Sequence, residues 1–323
     1  MISKSKFLIT VTIIVLAILI SFISILSSIR VAKDSVFLVK QNVSIRDISR
    51  ELANDKIINN QVAFFLFARF YSNFYNKPII PGEYSLKSGL DAIDLMKVLT
   101  GGNVIQHVIT IPEGFTIKQA IARLEKLNNI EHFPEKLQDI PEGSIMPDTY
   151  FYTYGTLDIA IIKRMQSTLA NFIATEWPKR DKRIDKFISC PQEAIILASI
   201  VEKETYITSE KPIIAGVYIN RLKKKMRLQS CPTVIYGLKL SEDPTWDKKL
   251  RYSHIKSQSE YNTYLNEGLP PRPICNPSRE SILAVLHPKW TENLFFVSKG
   301  EGKHLFALNF REHKANIKRI NSN

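Results

Sequence analysis

The first long pattern in the chain is an uncharged run from Phe7 to Leu26, composed mostly of Ile, Leu, Val and Phe. A helix of about twenty such residues is long enough to cross the hydrocarbon core of a bilayer. A cleaved signal peptide is the alternative, but its apolar region is shorter, and no small-x-small cleavage site follows before Arg30. The pattern therefore predicts a short tail over residues 1–6 and a retained transmembrane helix over 7–28.

Strand-like and helical patterns follow one another over residues 35–106. A strand is predicted over 36–40, and Ser44 with Asp47 three residues later has the spacing of a helix N-terminus. A helix rich in Phe and Ala is predicted over 60–75 and a returning strand over 83–86. The order strand, helix, helix, strand resembles a LysM-like module, the kind that binds glycan chains, although many small α+β units share it. We predict one such module over 35–106.

The remaining residues, 107–323, mix helices with short strands. Apolar periodicity predicts helices over 192–205 and 211–224. Glycines at 300 and 302 predict a hairpin that pairs 294–297 with 304–308. Because strands and helices do not alternate regularly, the predicted fold class is α+β. It combines an N-terminal transmembrane helix, the LysM-like module and a larger mixed α/β domain over 107–323.

Two carboxylates end the first of these helices. Since a helix turns about 100° per residue, Glu202 and Glu204 point to nearly opposite sides. Glu204 shares a stripe with Leu197, Ile200 and Val201. A carboxylate on an apolar stripe loses hydration, so its pKa rises and it can hold a proton near neutral pH, as a general acid must. Glu204 is therefore the candidate acid and Glu202 its competitor, although many helices end in such residues only for solubility.

Composition narrows the classes of partner. The formal net charge is +13, but the basic residues are scattered and form no nucleic-acid-binding motif, so nucleic acid is not an expected partner. An anionic leaflet, an anionic cell-wall polymer or an ordinary solvated surface accounts for this charge. The histidines and cysteines lack metal-ligand spacing, so we expect neither a metal nor a cofactor. We also expect no obligatory disulfide among Cys190, Cys231 and Cys275.

Several longer motifs occur in a fixed order along the chain. They are Glu142–Tyr150, Ile200–Thr205 (Ile-Val-Glu-Lys-Glu-Thr), Ile219–Leu222 (Ile-Asn-Arg-Leu), Arg227–Gly237 (Arg-Leu-Gln-x-x-Pro-Thr-Val-Ile-Tyr-Gly), Tyr261–Pro271 (Tyr-Asn-Thr-Tyr…Gly-Leu-Pro-Pro) and His304–His313. In these motifs the chain resembles the endolytic murein transglycosylases, the MltG / YceG-like family, over nearly its whole length. Cys231 and Lys314 stand where the family more commonly has an acidic or other polar residue and an Asn.

The resemblance implies a peptidoglycan lytic transglycosylase, which cuts the MurNAc–GlcNAc bond within nascent strands, leaves 1,6-anhydro-MurNAc ends and terminates glycan elongation. Glu204 would serve as acid and then as base. Ser253 and Lys256 match the Ser-x-x-Lys signature of penicillin-binding proteins, but the companion Ser-Asp-Asn and Lys-Thr-Gly motifs do not occur, so we reject that class. Candidate ligands for the sugar are Asn220, Gln229, Thr233, Tyr236, Tyr261 and Asn262, and a structural role is as plausible for each.

Location and partners depend on the resemblance as well. Charges flank the apolar run equally, with Lys4 and Lys6 before it and Arg30 and Lys33 after it, so the positive-inside rule does not orient it. The resemblance implies a single-pass protein of the cell inner (cytoplasmic) membrane with an extracytoplasmic catalytic domain. Expected partners are glycan strands, the lipid bilayer and penicillin-binding peptidoglycan synthases. Two alternatives stay open: a membrane-tethered glycan-binding scaffold without catalysis, and a muramidase that uses water.

Overall fold

The computed structural model describes residues 4–241 and 250–322 of the chain. These divide into two compact units, an N-terminal unit of residues 1–107 with 151–156 and a C-terminal unit of residues 108–150 with 157–323. Helices and strands are mixed, which confirms the coarse prediction of a mixed α and β fold.

The helices are α1 Lys4–Ser27, α2 Ile45–Asn54, α3 Gln61–Tyr75, α4 Ala92–Thr100, α5 Ile117–Leu124, α6 Asp158–Glu176, α7 Pro191–Glu204, α8 Lys211–Lys223, α9 Cys231–Ser241, α10 Tyr252–Ile255, α11 Arg279–Leu286 and α12 Phe310–Asn321. The strands are β1 Ser35–Val39, β2 Gly82–Leu86, β3 His107–Thr110, β4 Ile130–Glu131, β5 Thr149–Tyr152, β6 Thr156–Leu157, β7 Phe295–Gly300 and β8 Lys303–Ala307.

The N-terminal unit is built on one antiparallel strand pair with helices packed beside it. β1 pairs with β2, with Phe37 opposite Tyr84. Ser44 caps α2 by accepting a hydrogen bond from the backbone N–H of Asp47, as its spacing predicts. Side chains from β1, α2 and α3, among them Phe37, Leu52 and Phe64, are buried in a shared core. The predicted order of strand, helix, helix and strand is therefore present, whereas the likeness to a LysM module stays a prediction.

Helix α1, Lys4–Ser27, covers the whole of the apolar run from Phe7 to Leu26. Within residues 4–241 and 250–322, no helix combines the length and the apolar character that crossing a membrane requires. The transmembrane helix predicted over 7–28 is thus not supported by the structure. The predicted domain boundaries also stay predictions.

Helix α7 lies in the middle of the C-terminal unit. Its residues from Ala194 to Val201 are all buried, and α8 and α11 both pack against it. A helix that is apolar around its whole circumference must be covered on all sides. Residues 194–201 are apolar apart from Ser199, whose hydroxyl donates to the carbonyl oxygen of Ile196 at 2.7 Å, so this segment fits a fully covered position. Both ends of α7 reach the surface: Gln192 is exposed in the first turn, and in the last turn Lys203 is exposed and Glu204 is partly exposed. The C-terminal end of α7 therefore places polar side chains at the surface, directly after a buried apolar segment.

Helix α8 and the β7–β8 hairpin both lie beside the end of α7. The hairpin is antiparallel, with Phe296 opposite Phe306, close to the predicted pairing. The Thr205 hydroxyl, directly after α7, donates to the carbonyl oxygen of Gly302 at 2.9 Å. The ring of Phe296 meets the ring of Tyr218 on α8 edge to face, with centroids 5.7 Å apart. These contacts bring side chains from distant parts of the sequence to the end of α7.

A glycine allows α8 its close approach to the segment after α11. A Cβ atom on Gly216 would lie 2.3 Å from the carbonyl oxygen of Lys289, which no side chain can tolerate. The backbone N–H of Lys289 in turn donates to the carbonyl oxygen of Pro212 at 2.9 Å. The close packing fixes α8, and with it Tyr218.

Candidate active site

Glu204, the last residue of α7, is held through one of its two carboxylate oxygens. The hydroxyl of Tyr218 and the hydroxyl of Ser230 both donate to Oε1, each at 2.6 Å. Among the described residues, no hydrogen bond is made to Oε2. Because the side chain remains partly exposed, Oε2 is the oxygen that can carry a proton and present it to a ligand.

The surroundings of Glu204 favour its protonated form. Burial raises the pKa of Glu204 above its ordinary value, and the hydroxyls of Ser230 and Tyr218 offset part of that shift because they stabilise the carboxylate. Its position at the C-terminal end of α7 acts in the same direction as burial, since the helix dipole is negative there. A carboxylic acid in this position keeps its proton to a higher pH than an exposed glutamate, which is what proton donation near neutral pH requires.

Glu202 has opposite surroundings. Its Oε2 accepts hydrogen bonds from the Ser278 backbone N–H at 3.0 Å and from the hydroxyls of Ser278 and Ser281. The ammonium group of Lys211 lies 3.1 Å from the same oxygen, and both side chains of this ion pair are almost fully buried. Burial alone would raise the pKa of Glu202, but these hydrogen bonds and the Lys211 charge together lower it. Glu202 is thus a paired, ionised carboxylate, and the geometry favours Glu204 as the acid.

Two neighbours position the oxygen Oε1 of Glu204. Tyr218 is buried on α8, and burial, followed by the Glu204 charge, raises its pKa, so its hydroxyl stays a donor. Ser230 precedes α9, and its backbone N–H donates to the Thr263 hydroxyl at 2.9 Å. The buried guanidinium of Arg221 donates to the carbonyl oxygens of Leu228 and Leu294. The segment that carries Ser230 is therefore tied to α8 and to the start of the hairpin.

Three of the predicted sugar ligands are engaged within the fold. The amide nitrogen of Asn220 donates to the carbonyl oxygens of Thr291 and Asn293. Asn262 is fully buried, and its amide nitrogen donates to two carbonyl oxygens of the 255–257 turn. Thr233 is fully buried and donates to the carbonyl oxygen of Ser230 at 2.7 Å. This placement favours structural roles, and substrate contact by these three side chains stays a prediction.

The other three predicted ligands lie in different settings. Gln229 is exposed, in a left-handed backbone conformation with φ of 48°, one residue before Ser230. Tyr261 is buried in the core of the C-terminal unit. The ring of Tyr236 meets the ring of Tyr261 edge to face, with centroids 4.9 Å apart. Gln229 and Tyr236 are therefore the two of these residues best placed to meet a ligand.

A second carboxyl group, Glu142, lies in a cleft lined also by Tyr236. Its Oε1 accepts from the Ile117 N–H at 2.9 Å and its Oε2 from the Tyr236 hydroxyl at 3.3 Å. Burial raises the pKa of Glu142 to about 7. Gly143 beside it has φ of +72°, and a Cβ there would lie 2.5 Å from Pro273, so only glycine fits. The turn therefore holds a titrating carboxyl group against the cleft.

Sequence reasoning missed Tyr218, Ser230 and Glu142 as site residues, although Ser230 and Glu142 stand inside the motifs that carry the family resemblance and Tyr218 directly precedes one of them. A signal was present for Tyr218, since a tyrosine within the apolar run of α8 must find a partner for its hydroxyl. No local pattern marks Ser230, which meets Glu204 only through the tertiary fold. Among the residues that the structure describes, no group of three or more His, Cys, Asp or Glu side chains is arranged to hold a metal ion.

Fold and site together define a mixed α/β protein whose site is centred on one protonatable carboxyl group at the end of a core helix. The chain belongs to the YceG-like family, whose model matches residues 37–319. It is 30% identical to the endolytic murein transglycosylase of Bacillus subtilis (strain 168), over 90% of this chain and 88% of that protein. It is 26% identical to the endolytic murein transglycosylase of Streptococcus pneumoniae (strain D39), over 86% of this chain and 57% of that longer protein. A crystal structure of a YceG-like protein from Listeria monocytogenes matches with a TM-score of 0.54 and 28% identity, over 88% of this chain and 99% of that one.

Proposed function

We propose that this protein is a peptidoglycan lytic transglycosylase that cuts glycan strands internally, with Glu204 as its acid and base. The protonated Oε2 of Glu204 would donate its proton to the glycosidic oxygen between MurNAc and GlcNAc as the bond from that oxygen to the MurNAc anomeric carbon breaks. The MurNAc C6 hydroxyl would then attack the same carbon and give its proton back to the carboxylate. The product is a 1,6-anhydro-MurNAc end, no water is consumed, and the acid is regenerated.

The observation that carries the proposal is the asymmetry of the Glu204 carboxyl group. Oε1 is fixed by two hydroxyl donors, while Oε2 carries no hydrogen bond from the described residues and the side chain is partly exposed. One group can serve as acid and then as base only if it changes charge easily between the two steps. Burial raises the pKa of Glu204 while the two hydroxyls support its ionised form, so both states are accessible. The names of the Bacillus and Streptococcus relatives support the same reaction.

The experiment is product analysis by mass spectrometry after the purified chain has acted on uncrosslinked glycan strands. Wild type is compared with Glu204→Gln, which keeps the size of the side chain but removes the acid. Glu131→Gln, at an exposed residue of β4, is the matched control. Internal fragments with 1,6-anhydro ends, made by wild type and by the control and slowed about 10²–10⁴-fold in Glu204→Gln, are expected. Unchanged cleavage by Glu204→Gln would refute the assignment.

The same products separate the two alternatives. A muramidase that uses water would leave reducing ends, and such an enzyme needs a second carboxylate. Glu202 is occupied by Lys211 and two serines, so Glu142, with its pKa near 7, would be the group to test next. Strands that bind but are never cut would instead identify a glycan-binding scaffold.

Membrane anchoring is a separate proposal that depends on the sequence alone. The uncharged run from Phe7 to Leu26 is long enough for a span in the inner membrane, with the two units on the extracytoplasmic side. Fractionation of cells that make the full chain should recover it with the membranes after a high-salt wash. A version that begins at residue 30 should be released, and recovery of the full chain in the soluble fraction would contradict the anchor.

We also propose that the enzyme ends elongation of nascent strands beside penicillin-binding peptidoglycan synthases. An enzyme that cuts strands internally would shorten them most effectively where they emerge from the synthase. Cells that carry Glu204→Gln should therefore build longer glycan strands than wild type, as measured by chromatography of amidase-released strands. Unchanged strand lengths, together with in-cell crosslinking that recovers no synthase, would refute this placement.

A further inference from the structure

The C-terminal unit contains a cleft of about 560 Å³ that the proposed chemistry at Glu204 does not use. Its walls are largely apolar and include Pro232 and Ile235 of α9 and Ile274. Small apolar groups can therefore be bound there with loss of water from both surfaces.

Three lysines give the cleft its charge. Lys118 on α5, Lys203 on α7 and Lys239 on α9 line it, and among the described residues no ion pair joins any of them to a carboxylate. Among the residues that the structure describes, the acidic member of the lining is Glu142, whose pKa is raised to about 7 by burial, so it is only partly ionised at neutral pH. The described part of the lining is thus positive. The Gln119 side-chain oxygen and both Glu142 oxygens already accept hydrogen bonds within the fold, whereas the amide nitrogen of Gln119 can donate to a ligand. Such a lining suits an anionic ligand that also carries amides and small apolar groups.

The cleft adjoins the proposed acid along two chain segments. Lys203, in its lining, directly precedes Glu204. On the other segment, α9 supplies one wall and begins directly after Ser230, whose hydroxyl donates to Glu204. A ligand in this cleft can therefore be part of the molecule whose glycosidic bond lies at Glu204.

We propose that this cleft binds the stem peptide carried by a muramic acid residue of the substrate, an inference that rests on the proposed function. The stem peptide joins the sugar through a lactyl group, and it combines amides, alanine methyl groups and free carboxylates in one short chain. The lysines would pair with the carboxylates, and the apolar walls would cover the methyl groups. Strands that keep their peptides would accordingly bind more tightly than strands from which an amidase has removed them.

The test compares the two kinds of strand with two double variants. Lys118→Gln/Lys239→Gln removes two cleft cations and leaves Lys203, which adjoins the acid, unchanged. Lys163→Gln/Lys182→Gln, at exposed residues outside the cleft lining, removes the same net charge. On peptide-bearing strands the cleft variant should raise KM about tenfold with kcat unchanged, a factor that corresponds to about 1.4 kcal/mol of lost binding. On stripped strands, wild type and cleft variant should have the same, higher KM.

A binding measurement keeps this inference separable from the proposed function. Titration calorimetry of N-acetylmuramoyl-pentapeptide with Glu204→Gln protein requires no cleavage, and the affinity should fall as salt is raised and fall again in the cleft variant. If wild type cuts both kinds of strand to 1,6-anhydro ends with the same KM, and the cleft variant does so too, the stem-peptide site is wrong while the transglycosylase proposal is retained. If wild type cuts neither strand, the proposed function is wrong. Calorimetry then decides on the cleft by itself, because absence of muropeptide binding overturns the inference.

Discussion

Replacing Glu202 should damage the stability of the fold, whereas replacing Glu204 should damage the reaction. Glu202→Gln leaves the Lys211 ammonium group buried, with the Ser278 hydroxyl at 2.9 Å as its remaining partner. Removal of one partner from a buried ion pair typically costs about 3–5 kcal/mol, because the other charge remains without compensation. At about 2–4 °C per kcal/mol for a unit of this size, the thermal midpoint should fall by about 6–20 °C.

Glu204→Gln should behave in the opposite way. A neutral amide replaces a carboxyl group that burial disfavours in its charged form, so the thermal midpoint should stay unchanged or rise. Cleavage should nevertheless fall by about 10²–10⁴-fold. Cleavage by Glu202→Gln, measured well below its midpoint, should remain close to that of wild type, since its oxygen faces Ser278, Ser281 and Lys211 and not the open side of Glu204.

Thermal unfolding by circular dichroism and product analysis are therefore run on the same protein preparations. Glu131→Gln is the control for both and should be within about 0.5 kcal/mol of wild type. A double change, Glu202→Leu/Lys211→Met, removes both charges and should recover much of the stability that Glu202→Gln loses. A Glu202→Gln protein that keeps its thermal midpoint but no longer cuts glycan would refute the reasoning and make Glu202 the acid.

Three further outcomes follow from the hydrogen bonds and burial of individual groups. The pKa of Glu142 is about 7 in the folded protein and 4.5 ordinarily, so its protonated form contributes stability that is full below pH 4.5 and is lost as pH rises towards 7. Glu142→Gln should therefore match wild type in urea unfolding at pH 4 and be up to about 3 kcal/mol more stable at pH 8. Tyr218→Phe removes a donor that favours ionised Glu204, so the pKa of Glu204 should rise and the fall of kcat/KM at alkaline pH should move to higher pH. A fall at unchanged pH would show that Tyr218 does not influence the pKa of the catalytic acid. Asn262→Ala removes three side-chain hydrogen bonds and should cost about 1–3 kcal/mol in urea unfolding with little change in KM. A large rise in KM at unchanged stability would restore Asn262 as a sugar ligand.

Local patterns predicted the elements, because each depends on residues near in sequence. The N-terminus of α2 follows from the Ser44 side chain and the N–H three residues later. The burial of α7 follows from its run of apolar residues, which Ser199 alone interrupts between 194 and 201, and the β7–β8 hairpin follows from two glycines between strand-forming residues. Family motifs then placed Glu204 among the candidates before any contact was known.

The hydrogen-bond partners of the site residues could not be predicted from the sequence. Tyr218 lies fourteen residues after Glu204 and Ser230 twenty-six, and only the packing of α8 and the Arg221 hydrogen bonds bring both hydroxyls to one oxygen. The same limit affected the predicted sugar ligands. The sequence does not distinguish a polar side chain that faces a ligand from one that, like Asn262, donates hydrogen bonds to buried carbonyl oxygens.

The two glutamates at the end of α7 differ because the helix presents them to different neighbours. Residues two apart on a helix point about 200° away from each other, so they cannot share a partner. Glu202 meets a buried lysine and the N-terminus of α11, where Ser278 donates through its backbone and the helix dipole is positive. Glu204 meets two neutral hydroxyls at the negative end of α7. One spacing in the sequence therefore produces one ionised carboxylate that holds the fold together and one carboxylic acid that can exchange its proton.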